Sequence, residues 1–229
     1  MTTDQPAERR SDPDPGVSRM LTLSDSVLAF ALTLLVLQFT VPVVRAGEDR
    51  ADINSAAVLA RGLAHDGDKL VAYLIAFFVI AQFWLAHHWV LHRLTGHHEG
   101  VVWLNFGFLF TITALPFTSN LLGSYGNNPL AIDIFGLNLL LATLATQAIT
   151  LVGQRTEVLT VDAESGHYRA ARARVPVILV LIALSMGLAW VDTTAATWCW
   201  YLMPVAAPVS RRWAARRGRA GALGAPPSG

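Results

Sequence analysis

The chain has 229 residues, 53% of them hydrophobic and 14% charged, with a formal net charge of +1. A soluble domain carries about 25% charged residues, so this composition excludes an ordinary soluble domain and points to an integral membrane protein. The single cysteine, Cys199, excludes an intrachain disulfide and a cysteine-based metal cage.

Residues 1–18, MTTDQPAERRSDPDPGVS, are polar and proline-rich and read as a disordered tail, not a leader peptide. Six apolar spans follow, at 20–43, 69–94, 101–122, 130–153, 174–191 and 193–210. A helix needs about 20 residues to cross about 30 Å of hydrocarbon. The last two spans are short, with Asp192 the only charge between them, which predicts a tight helical hairpin. Pro204 and Pro208 interrupt the sixth. The tail 211–229 contains RRWAARRGR, which suits the anionic surface of an inner leaflet better than a nucleic acid. The expected fold is all-α: a polytopic membrane protein with six transmembrane helices over 19–210 and a polar tail at each end.

Basic residues orient such spans. With the N-terminus inside, the inner segments hold Arg9, Arg10, Arg19, Arg93, Arg155, Arg169, Arg172, Arg174, Arg211, Arg212, Arg216, Arg217 and Arg219. The outer segments hold only Arg45, Arg50, Arg61 and Lys69. Both termini are therefore expected to be cytoplasmic, with the loop 44–68 and the turn GSYGNNP (123–129) outside.

The first span opens as RMLTLSDSVLAFALTLLVL, Arg19 to Leu37. A simple anchor has no use for Asp25, because an ionisable group inside a membrane is costly unless paired. At about 100° per residue, Ser26, Phe30, Thr33 and Leu37 fall within about 60° of one another, flanked by Leu34 and Val41. Asp25 lies roughly 100° from the middle of that stripe. The stripe faces lipid or a neighbouring helix, or else it lines a narrow pore while Asp25 turns back into its own subunit.

Depth supplies partners for Asp25. The second span contains AQFWLAHHWVLHRL, where Trp84 and His88 share a helix face at i, i+4. His88 lies roughly 8 Å, Asn105 roughly 6 Å and Asp25 roughly 9 Å from the inner end of its own helix. Trp84 lies one turn deeper than His88 and offers an indole N–H. A buried carboxylate needs such donors, and Arg19 is expected to reach Asp25 from the interface. These residues are expected to form a structural polar network.

The same residues carry a resemblance. Arg19-x-x-x-Leu23-Ser24-Asp25, followed by SVLAFALTLLVL, resembles the first-helix signature of the TMEM175 family of potassium channels, whose usual motif is Arg-x-x-x-Phe-Ser-Asp. The likeness continues through FFVIAQFWLAHHWVLHRL and VVWLNFGFLFTITALPF, over roughly residues 19–122. It implies a bacterial-type homotetramer in the inner membrane, with four copies of the first helix lining the pore. It implies a polar network of Arg19, Ser24, Asp25, Trp84, His88 and Asn105. It also implies a filter of Phe30, Leu34 and Leu37, with Ser26 on the same stripe and Thr33 as a hydroxyl layer favouring potassium. Leu23 replaces the motif Phe, and Phe30 stands where Ile or Leu is usual.

The function so implied is passive conduction of potassium, with caesium and rubidium following and sodium weakly, through an apolar constriction and with no cofactor. The carbonyl-lined TVGYG loop of ordinary potassium channels is absent from the sequence; GSYG at 123–126 reads as a turn. The alternative is a proton leak or proton-coupled transporter using Asp25, His88 and His92. His87, His88, His92, His97 and His98 lie within twelve residues, but with Glu99 as the only nearby carboxylate they read as a pH-sensitive interfacial cluster, not a metal site. No nucleophile–base pair, phosphate loop or nucleic-acid motif suggests an enzyme or a nucleic-acid partner.

Overall fold

The computed structural model describes residues 14–38, 67–160 and 166–200, with isolated helical positions at 56, 60, 63 and 64; the side chains of Asp68 and of 166–171 are not described. Residues 1–13 of the expected tail 1–18, most of the expected loop 44–68, most of the sixth span and the basic tail 211–229 lie outside these residues.

Five long helices carry the fold: α1 Pro15–Val36, α2 Gly67–Leu91, α3 Glu99–Ser124, α4 Pro129–Arg155 and α5 Gly166–Ala189. All five are long and apolar enough to cross a membrane. A further helical segment occupies 193–200. Among the described residues the only β-pairing is an isolated bridge between Leu94 and Leu159.

Helix α1 starts at Pro15, four residues before the boundary expected from polarity. The reason is local. Asp14 accepts the Gly16 N–H on its carboxylate at 2.7 Å, and Pro15 stands in the first turn, where its missing N–H costs nothing. Capping thus extends the helix into sequence too polar to count as membrane span. The other helix starts follow the same logic: His98 caps α3 through Gly100 and Asn128 caps α4 through Leu130. Asp192 accepts from Thr194 and Ala195 and starts the segment 193–200, with three residues between it and the end of α5; the rest of the hairpin expected there lies outside the described residues.

Helix α3 packs against α1, α2 and α4, and α5 packs on α4. The core is aliphatic and aromatic, with Leu28, Leu35, Ile80, Phe108, Ile112, Phe135 and Leu139 fully buried. Phe135 meets Trp200 edge to face at 5.2 Å, which seats the 193–200 segment. The long exposed side chains, such as Trp103, Phe110 and Phe117, are apolar; in a membrane they face lipid tails or other chains.

Short connections make α2, α3 and α4 alternate in direction, and the contact of Asp14 with His97 puts the start of α1 at the α2–α3 connection. The start of α1, the end of α2, the start of α3 and the end of α4 therefore meet at one end, here the proximal end. There Thr95 donates its N–H to the Val158 carbonyl at 2.8 Å beside the Leu94–Leu159 bridge. Asp14 ties α1 to the same loop: His97 Nδ1 lies 3.0 and 3.2 Å from its two carboxylate oxygens. The His97 bond, then the Gly16 N–H, hold the Asp14 carboxyl below the ordinary value of 3.8. A lowered carboxyl contributes stability above the unfolded value and loses it as pH falls through the folded one. The Gly16 amide resonance should therefore move on acidification below about pH 4, and Asp14→Asn should abolish that movement.

Candidate functional site

The sequence-predicted network is brought together, but in two parts. Residue 25 sits on the flank of α1 that faces α2. There the Trp84 indole N–H donates to Asp25 Oδ1 at 2.8 Å. His88 Nδ1 approaches the same oxygen at 3.5 Å, an ion-pair distance without hydrogen-bond geometry. Trp84 and His88 stack one turn apart at 5.0 Å, and His88 meets the edge of His92 at 4.1 Å. The Asp25 side chain is 43% exposed and that of His88 34%, so this half of the cluster lies at the subunit surface.

The second part is buried. Ser24 and Asn105 are each 1% exposed. The Ser24 hydroxyl donates to the Met20 carbonyl at 2.8 Å, and the Asn105 amide donates to Ser24 Oγ at 3.1 Å. This rung ties α1 to α3, whereas Asp25 ties α1 to α2. One Ser-Asp dipeptide serves two neighbours because adjacent helical residues point about 100° apart.

Arg19 is exposed and makes no ion pair with Asp25. Six residues along a helix turn through about 240°, so the two side chains point about 120° apart. The reach expected from depth alone fails on angle.

His87, expected in an interfacial histidine cluster, is instead buried in the core. It is 1% exposed and stacks on Phe108 at 4.0 Å, with the rings 19° apart. Among the described residues neither ring nitrogen has a hydrogen-bond partner. The signal was present: His87 follows Phe83 at i+4, and Phe83 also packs on Phe108.

The stripe on α1 points the other way. Phe30 is 64% and Leu37 72% exposed, Ser26 and Thr33 are exposed, and Leu34 is half-buried at the stripe's edge. The opposite face (Val17, Met20, Ser24, Leu28, Ala31 and Leu35) is buried. The Thr33 hydroxyl donates to the Phe30 carbonyl at 2.7 Å, and that of Ser26 to the Thr22 carbonyl at 2.7 Å. Each proton is thus spent on backbone, and each oxygen keeps lone pairs to offer a cation. Among the described residues no group of three His, Cys, Asp or Glu side chains could hold a metal ion.

Three comparisons bear on this arrangement. The family model for the endosomal/lysosomal potassium channel TMEM175 matches residues 19–116. Among solved structures, the chain is similar to a crystal structure of a lysosomal potassium-selective channel TMEM175 homolog from Chamaesiphon minutus. The TM-score is 0.66 at 20% identity, over 86% of this chain and 98% of that one, a likeness of fold. No curated protein matches the chain. The matched residues hold most of α1, all of α2, most of α3 and every member of both polar clusters, and over them the chain is similar to the TMEM175 family.

Proposed function

We propose that the protein is a potassium-permeable cation channel of the bacterial plasma membrane. In this reading it assembles as a homotetramer with both termini cytoplasmic, and α1 of each subunit lines the conduction path. The observation that carries the reading is the division of α1 into two faces. Its polar anchors, Ser24 and Asp25, turn toward α3 and α2. Its stripe of Ser26, Phe30, Thr33 and Leu37 is left uncovered by the subunit.

Four such stripes around one axis enclose a narrow, largely apolar passage. Rings at Phe30, Leu34 and Leu37 would exclude a fully hydrated ion. Potassium sheds water more readily than sodium, so a constriction that demands partial dehydration favours it. Thr33 oxygens at the same depth would replace part of the lost shell. Such a passage can also close by dewetting.

The test is flux through the purified full-length protein in liposomes loaded with potassium chloride, against external sodium and then caesium. A potassium-driven signal that Leu34→Ala reduces or makes less selective is the expected result. A folded tetramer that passes no ion, and still passes none as Phe30→Ile, would overturn the reading, as would a stable monomer without flux. A second reading, a proton leak, draws on the line His92–His88–Asp25 at contact distances of 4.1 and 3.5 Å. Acidification of the liposome lumen under a potassium-free pH gradient would favour it.

A further inference from the structure

The cluster at the proximal end is not the only polar hold on α1. At the distal end of the helix the last turn tightens: Leu37 donates its N–H to the Leu34 carbonyl and Gln38 to the Leu35 carbonyl, both three residues back. This carries the Gln38 side chain onto α3. Its amide Nε2 donates to the Pro116 carbonyl at 2.6 Å, and its Oε1 accepts from the Ser119 hydroxyl at 3.2 Å. Ser119 is fully buried and Gln38 half-buried. A primary amide in an apolar setting is costly unless both ends are satisfied, and here both ends are satisfied by one turn of one neighbouring helix.

The two holds share a register. Ser24 pairs with Asn105 and Gln38 with Ser119, each across 81 positions of sequence. On both helices the rungs are therefore the same number of residues apart, about four turns or roughly 21 Å. Over that length the helix turns back to within about 40° of its starting direction, so both rungs leave α1 from its buried face. Phe30, Thr33, Leu34 and Leu37 lie between the rungs or beside the second. One rung leaves a helix free to swivel about it; two rungs on one face fix its rotation.

We infer that Gln38 is a positioning residue for ion selection: with Ser119 and the Pro116 carbonyl, it sets the rotation of the distal half of α1 and hence which side chains of the stripe meet the ion. The inference rests on the reading of α1 as the pore wall. Gln38→Met keeps the length of the side chain and removes both hydrogen bonds. Ser119→Ala removes one of them by deleting a single hydroxyl.

The decisive experiment is the potassium-to-sodium permeability ratio of the full-length protein in liposomes, measured alongside tetramer yield and melting temperature. A loss of packing alone would move only the last two. Gln38→Met should change the ratio roughly three- to tenfold, the range of about one net hydrogen bond. Ser119→Ala should change it less and in the same direction, and should add nothing to Gln38→Met. If Gln38→Met keeps the wild-type ratio while Leu34→Ala shifts it, the inference falls and the pore reading stands. If neither shifts it, both fall. Additive effects of the two substitutions would break the shared rung. Should Gln38→Met fail to assemble, Ser119→Ala decides alone, and a wild-type ratio in that variant overturns the inference.

Discussion

Asp25→Ala is expected to abolish potassium flux, by loss of assembly or of an open path. The carboxylate engages α2 through the Trp84 indole at 2.8 Å and His88 at 3.5 Å. A hydrogen bond to a charged group contributes about 1.5–3 kcal/mol, which corresponds to roughly a tenfold to hundredfold shift in the population of correctly seated helix. Asp25→Asn separates the two components. Its amide oxygen still accepts the indole proton, so this variant should retain part of the flux if the hydrogen bond is what seats the helix. Trp84→Phe keeps the stacking on His88 and removes the donor, and should resemble Asp25→Ala. Tetramer yield by size exclusion, with flux in liposomes, reads all three. Normal flux in Asp25→Ala would show that α1 is held without this contact.

The second large effect is expected at Phe30. Phe30→Ala should raise cation flux and lower discrimination between potassium and sodium. Every 1.4 kcal/mol removed from a permeation barrier raises the rate about tenfold, and in the proposed tetramer four phenyl rings at one level would constitute much of an apolar barrier. Folding of the subunit should hardly change, because the ring is 64% exposed and packs little within it. Leu35→Ala is the control. Leu35 is fully buried on the opposite face of the same helix. Its truncation should cost about 2–5 kcal/mol of stability and leave the permeability ratio of the surviving channels unchanged. If Phe30→Ala destabilises the protein as much as Leu35→Ala and leaves the ratio unaltered, the stripe is a packing surface and not a pore wall.

Much of this molecule is written in one dimension. Hydropathy runs far longer than a strand mark six spans, and five of them coincide with helices long and apolar enough to cross a membrane, because in hydrocarbon only an internally hydrogen-bonded helix satisfies the backbone. The stripe of Ser26, Phe30, Thr33 and Leu37 follows from residue angles alone, though not what it faces, and depth alone puts Asp25, His88 and Asn105 at one level. The start of α1 at Pro15 was equally legible in Asp14-Pro15, but hydropathy outweighed the cap.

Other features required three dimensions, for identifiable reasons. Depth is a single coordinate and contact needs three, so Arg19 met the depth criterion for pairing with Asp25 and failed on azimuth. The division of the polar residues into an Asp25–Trp84–His88 group and a Ser24–Asn105 rung depends on which helix lies on which side of α1. Helix order in sequence does not determine this, because in lipid any apolar face can meet any other. The burial of His87 against Phe108 and the Gln38–Ser119 rung rest on the same undetermined choice. Local sequence determined which residues form helices and which face of each is polar. The packing of α1 and α2 around α3 decided which polar groups meet, since that depends on rotations and offsets that only neighbouring side chains can set.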